Sequence, residues 1–209
     1  MNYESLKADI IAITGHRDFS DTGALYRGLD NTFSREYMFG GARGADKVSL
    51  EYLARTQPGA LRTVVVPNRL VDQPASARVS IGKYSTKVIE LRNTGVNRYQ
   101  LRNRFMVDNS NAVRAFYDGR GSGGTYNTIN YAQSKGVNVK VWWLRPLDMR
   151  SILAKTPDEF NVWMRSARKL KVPLRAIKGI ILEYSKSLAA RTGAGFIQLP
   201  ETQEFIQMY

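Results

Sequence analysis

The chain has 209 residues, with 31 Lys and Arg against 18 Asp and Glu, a net charge of +13 and a pI of about 10.1. That balance points to an anionic partner, such as nucleotide phosphate, nucleic acid or acidic lipid. The absence of cysteine and the single histidine exclude a disulfide framework, a thiolate metal site, a thiol nucleophile and a multi-histidine centre, so no metal is expected.

A hydrophobic content of 43% is enough for one medium domain, or one domain with an extension. Apolar runs such as Ile10–Ile13 fall far short of the ~20 residues of a membrane span. The polar start Met1–Asp9 does not read as a signal peptide, so a cytoplasmic protein without a membrane partner is expected.

The first two-thirds alternate β-rich runs with helical stretches, the pattern of an α/β fold with a parallel sheet covered by helices. Asp9–Ile13 reads as a strand ending in Thr14-Gly15-His16-Arg17. Leu25, Leu29 and Phe33 then recur at helical spacing over about 21–35. Tyr37–Phe39 reads as a short strand running into Gly40-Gly41-Ala42-Arg43-Gly44-Ala45-Asp46, followed by a partly buried helix carrying Val48, Leu50 and Leu53. Leu61–Val66 is a strongly β-branched strand, Lys87–Leu91 a further strand and Arg98–Asp108 a helix, whereas the stretch from Asn68 to Thr86 gives no clear pattern. Ala112–Tyr117 reads as a strand, Asp118–Gly124 as a loop, Thr125–Lys135 as a helix and Val137–Trp143 as the last strand.

From Pro146 the pattern is helical only, dividing the chain into residues 1–145 and a basic helical extension, 146–209. Helices are expected over 147–155, from Thr156-Pro157 to about Lys171, and from Leu174 to about Arg191 with Gly193 as its C-cap. This extension is short for a core of its own and is expected to pack on the α/β domain or on a partner. Trp163 is expected to pack on the apolar side of its helix, and at least one of Trp142 and Trp143 in a core or interface.

In open parallel sheets, strand ends and helix N-termini converge on one edge, where free N–H groups and helix dipoles bind anions. Three glycine loops are expected there: Thr14, Gly15, His16 and Arg17; Gly40, Gly41, Ala42, Arg43, Gly44 and Asp46; and Gly119, Ser122, Gly123, Gly124 and Thr125. Glycine lets backbone approach phosphate closely and arginine grips it bidentately. Each loop alone reads as a tight turn; three at one edge read as a ligand site.

Within these loops, His16 is as readily a structural imidazole as a phosphate contact, and Asp46 reads first as a carboxylate on a helix N-terminus. Asp118 and Tyr126 flank the third loop, where they could touch ribose or base or simply shape the turn. Gly119-Arg120-Gly121-Ser122-Gly123-Gly124 satisfies G-x-G-x-x-G, but it lies late in the chain and lacks the acidic residue expected about 20 positions on, so a nicotinamide dehydrogenase is rejected. No P-loop is present in the sequence. Basic residues also gather between Arg62 and Arg104, and again as Arg165, Arg168, Lys169, Lys171, Arg175 and Lys178. Both groups read as solvated faces or as phosphate-lining surfaces, with Arg168, Lys169 and Lys171 as the candidate nucleic-acid contacts in the extension.

The order and separation of Ile13-Thr14-Gly15-His16-Arg17, Gly40 to Asp46, Arg102-Asn103-Arg104-Phe105-Met106 and Ser122-Gly123-Gly124-Thr125 resemble the SLOG superfamily of Rossmann-like nucleotide-binding proteins. That superfamily includes the DNA-processing protein A recombination mediators, the YspA/YpsA-like proteins and the cytokinin-activating phosphoribohydrolases. The resemblance covers about Asp9–Trp143 and is nearest to the YspA-like group. It implies a nucleotide or nucleotide-derived ligand cradled by the glycine loops, with Arg102 and Asn103 facing the same cleft.

The leading expectation is therefore a nucleotide-binding or sensing module with no assigned catalytic residue. A nucleoside-monophosphate N-glycosidase and a single-stranded DNA-binding mediator are the alternatives, and homo-oligomerisation stays open. The resemblance departs from the phosphoribohydrolase pattern P-G-G-x-G-T-x-x-E where its carboxylate should stand. Gly123-Gly124-Thr125 is followed here by Tyr126-Asn127-Thr128, and Asn103 replaces the lysine of R-K-x-x-M. Hydrolysis is not expected unless Asp46, Asp118 or Glu90 reaches the cleft.

Overall fold

The computed structural model describes residues 5–18, 22–119, 121–143, 153–169 and 174–193. The chain forms two compact units, one of residues 1–118 with 122–144 and the other of residues 119–121 with 145–209.

The first unit is an α/β Rossmann-like domain. Its strands are β1 (Leu6–Gly15), β2 (Thr32–Phe39), β3 (Leu61–Val66), β4 (Lys87–Glu90), β5 (Ala112–Tyr117) and β6 (Asn138–Trp143). They form one all-parallel sheet in the order β4-β3-β2-β1-β5-β6. The helices are α1 (Thr22–Asp30), α2 (Ala45–Thr56), α3 (Ala75–Tyr84), α4 (Arg98–Asp108) and α5 (Gly123–Ser134). Right-handed crossovers place α1 to α3 on one face and α4 and α5 on the other, in keeping with the packing of α1 on α2, α2 on α3 and α4 on α5.

Burial follows the period-2 alternation of strands. Ile11, Ile13, Tyr37, Phe39, Val64, Val66 and Phe116 join the core under α1 to α3 with Leu25, Leu29, Leu50 and Leu53. Ala12, Val65, Val113 and Tyr117 are buried as well and fall on the alternate positions. Every residue of β5 is buried, including Arg114, whose Nε donates to Thr32 Oγ1 at 2.8 Å and whose Nη2 donates to the Asn31 carbonyl at 2.9 Å. Its guanidinium lies 5.8 Å from the Trp142 ring centre.

The helix expected over 21–35 is corrected: α1 ends at Asp30, and Thr32 begins β2. Asn31 closes the helix by donating from Nδ2 to the Arg27 carbonyl at 2.8 Å, while Thr32, Phe33 and Ser34 pair with Leu6, Lys7 and Ala8. Phe33 therefore mimics the helical spacing from a strand position where it stands 47% exposed. Pairing also extends β1 backwards to Leu6. The unpatterned stretch holds a short 3-10 turn, Leu70–Asp72, and α3, which buries little beyond Ala77, Ser80 and Ile81 and exposes Val79.

The second unit contains α6 (Pro157–Lys169) and α7 (Leu174–Thr192). Thr156 and Glu159 form a capping box, the Glu159 carboxylate accepting from Thr156 N–H at 3.0 Å and Thr156 Oγ1 from Glu159 N–H at 3.4 Å. Phe160 stacks on Tyr184 at 3.7 Å between ring centres and on Trp163 at 5.5 Å. Met164, Ile181 and Leu188 are buried as well. The helix expected over 147–155 lies largely outside the described residues. So do Lys171 and the side chains of Arg168 and Lys169.

Candidate functional site

In this strand order the chain leaves β1 in one direction, through β2 to β4, and returns through α4 to β5 on its other side. The C-terminal ends of β1 and β5 are thus the topological switch point, where loops diverge and open a crevice. His16 and Asp118 tie those ends together. His16 Nε2 lies 3.0 Å from Asp118 Oδ1, and the Asp118 main-chain N–H points to the same nitrogen at 3.3 Å. Both residues are buried, and the imidazole packs against Tyr117 with 5.4 Å between ring centres. Thr14 is buried at the end of β1. Arg17, by contrast, is exposed, with its guanidinium 5.0 Å from the Tyr99 ring centre; Arg98 approaches the same ring at 5.1 Å.

The second loop is locked from three sides. Gly44, at φ +76°, lies so close to the His16 and Arg17 carbonyls that a β-carbon would collide with them, and the next N–H, that of Ala45, donates to the His16 carbonyl at 3.1 Å. Asp46, in the first turn of α2, is buried and accepts from the N–H of Ala42 at 3.3 Å. From α4, Arg102 donates through Nη1 to the Gly40 carbonyl, filling the space a side chain at Gly40 would need.

Burial pushes the Asp46 carboxyl above its ordinary range, opposed by the charge of Arg102, the N–H groups of Ala42 and Gly40, and Arg17. The same desolvation draws the Arg102 guanidinium below its usual value, with Asp46 opposing. Arg102 Nε is buried without a hydrogen-bond partner. These two charges organise the Gly40–Asp46 turn, and they leave the exposed Arg43 as the loop's outward cation.

The third loop differs. α5 starts at Gly123, at φ +90°, with Ser122 as an N-cap that makes no side-chain hydrogen bond and no acidic residue in the first turn. Ser122, Gly123 and Gly124 are exposed, while Thr125 is buried. The Gly124 carbonyl accepts from Thr128 Oγ1 at 2.8 Å and from Asn103 Nδ2 at 3.5 Å, which ties α4 to the loop. Gly119 has φ +90° and belongs to the second unit.

The two helix N-termini are therefore not equivalent. At that of α2 the Ala45 N–H is taken by the His16 carbonyl, and Asp46 places a carboxylate in the first turn; at that of α5 the residues Ser122, Gly123 and Gly124 are exposed and the first turn carries no carboxylate. The first unit brings together Thr14, Gly15, His16, Arg17, the Gly40–Asp46 loop, Arg102, Asn103 and Ser122–Thr125. Tyr99 escaped the sequence reading, although its position one turn before Arg102 on α4 was a usable signal.

Glu90 accepts the Leu70 N–H at 2.7 Å at the end of the edge strand β4, and Asp108 accepts from the Tyr131 hydroxyl at 2.9 Å. Among the described residues no group of three or more His, Asp or Glu is placed to hold a metal, and no helix is long and apolar enough to cross a membrane.

No protein-family model matches the chain. The SPbeta prophage-derived protein YoqJ of Bacillus subtilis (strain 168), itself uncharacterized, is 43% identical over 49 residues, covering 23% of this chain and 28% of that protein. The X-ray structure of DNA processing protein A from Streptococcus pneumoniae is similar at 20% identity with a TM-score of 0.49, over 63% of this chain and 49% of that one. The chain thus aligns with less than half the length of either relative.

Proposed function

We propose that the first unit is a SLOG-like module that binds a nucleotide or nucleotide-derived ligand through its phosphate at the N-terminus of α5. The observation that carries this reading is the contrast between the two helix starts at the switch-point edge, one closed by Asp46 and the His16 carbonyl, the other exposed, glycine-built and free of acidic residues in its first turn. Arg17 and Arg43, exposed on the neighbouring loops, add the positive field that draws a phosphate to this edge.

Binding rather than hydrolysis fits the engagement of the nearby carboxylates. Asp46 accepts N–H groups of its own loop, Asp118 lies against His16, and Glu90 is held by Leu70 N–H. Asn127 and Asn130 on α5 carry no negative charge to stabilise an oxocarbenium-like sugar.

Calorimetric titration of the full chain with AMP, GMP, their nucleosides and inorganic phosphate tests the reading. Nucleotides should bind and the nucleosides should bind much more weakly, with Arg43→Ala weakening nucleotide binding more than Arg191→Ala. Arg191 is a suitable control because it donates to the Ala154 and Lys155 carbonyls within the second unit. Equal losses in the two variants would mean diffuse charge attraction and would remove the defined site.

A further inference from the structure

A groove of about 410 Å³ lies between α4 and α5, within the roughly 300–1,000 Å³ usual for small-ligand clefts. Its composition is unusual for a seam between helices, where apolar side chains normally interlock. Four carboxamides line it, Gln100 and Asn103 from α4 with Asn127 and Asn130 from α5, together with Arg104, Tyr131 and the hydroxyl residues Thr128 and Ser134. Among the described residues no carboxylate and no aliphatic side chain takes part in the lining.

The groove is continuous with the phosphate site, because Asn103 and Thr128 both line it and both donate to the Gly124 carbonyl. A carboxamide carries both donors and an acceptor, the pattern that pairs with a base edge. Asn130 Oδ1 is itself buried, so the carboxamides open to a ligand are those of the exposed Gln100 and Asn127 and the half-buried Asn103.

Further along, positive charge returns. Arg104 and Lys135 lie 5.3 and 5.5 Å from the Tyr131 ring centre, and the ring is anchored by its hydroxyl to Asp108. Tyr131 lies seven positions after Gly124, about 10 Å along the helix. One phosphate held by the first turn of α5 cannot also reach this second cationic point; two phosphates separated by a nucleoside can.

We propose that the α4–α5 groove is a second subsite, reading a nucleobase through its carboxamides and a distal phosphate through Arg104 and Lys135, so that the preferred ligand is a linear dinucleotide. This rests on the reading of the α5 N-terminus as a phosphate site.

Calorimetric titration of the full chain with AMP and with 5′-phosphorylated adenylyl-adenosine (pApA) tests both levels. The dinucleotide should bind roughly tenfold more tightly than AMP, and Arg104→Gln, an exposed substitution checked for folding by its thermal melt, should bring the affinity ratio close to one. Equal affinity of the native chain for AMP and pApA would overturn the dinucleotide subsite and leave the phosphate site standing. An unchanged ratio in Arg104→Gln would overturn the role of the groove. Failure of both ligands to bind would overturn the phosphate site and this inference with it.

Discussion

Gly124→Asp separates the anion-binding role of the α5 N-terminus from its role in folding. Gly124 is exposed in the first turn, and a β-carbon there would stand 3.7 Å from Asn103 Nδ2, an ordinary van der Waals distance. Its neighbour Gly123 would be a poor choice, since φ of +90° strains any other residue.

An aspartate in the first turn meets the helix dipole favourably, by about 0.3–1 kcal/mol, and replaces a glycine that disfavours helix. The variant should therefore melt at or slightly above the native temperature. For a bound phosphate the same carboxylate is a like charge some 4 Å away, which costs between about 1 kcal/mol in water and about 4 kcal/mol near a protein surface. Nucleotide affinity should fall by roughly fivefold to ~1,000-fold. Thermal melting and calorimetric titration with AMP measure the two effects side by side. Undiminished binding in a fully folded variant would refute the argument, because the phosphate would then have to sit elsewhere.

Arg102→Ala should destabilise the first unit by about 1.5–3 kcal/mol, since it removes the donor to the Gly40 carbonyl and the positive charge facing buried Asp46; urea unfolding measures it, and a shift under 0.5 kcal/mol would contradict the locking role. Burial pushes the Tyr37 hydroxyl from 10.0 up to about 12, against the opposing hydrogen bonds to Ser34 and Gln57 and the charge of Arg114. The folded state thus keeps a proton that the unfolded chain loses, so stability falls as pH rises from about 10 to about 12, by at most about 1.4 kcal/mol per pH unit. Tyr37→Phe should flatten that part of the pH–stability curve relative to the native chain, and parallel curves would contradict the assignment. Nucleoside monophosphates should be bound without release of base; chromatographic detection of free base, at a rate that scales with protein and is lost in Arg102→Ala, would establish the glycosidase reading instead.

Much of this architecture was legible because strands and helices alternate with distinct periods. Leu61–Val66, Arg98–Asp108 and Ala112–Tyr117 occupy the ranges their patterns predict. The failures have two causes, tertiary pairing that overrides local spacing and a helix that buries too little to show a period. Thr32–Ser34 became strand by lying beside β1, and α3 packs through so few apolar residues that it leaves no periodic trace.

At the site, glycine and arginine marked the loops, but composition does not reveal which helix start is already filled. Closing α2 takes the His16 carbonyl, 29 positions before Ala45, and the role of Arg102 depends on a contact across 62 residues. The pairing of His16 with Asp118 spans 102. A sequence supplies such residues without their partners.

Hydrogen exchange of the full chain with and without saturating AMP reads out phosphate binding at the start of α5, because the first-turn N–H groups there have no partners within the helix and should exchange quickly when free. The nucleotide should slow exchange most strongly over Ser122–Thr125, with a smaller effect over Gly40–Asp46. Protection confined to other segments, with both of these loops unchanged, would contradict phosphate binding there.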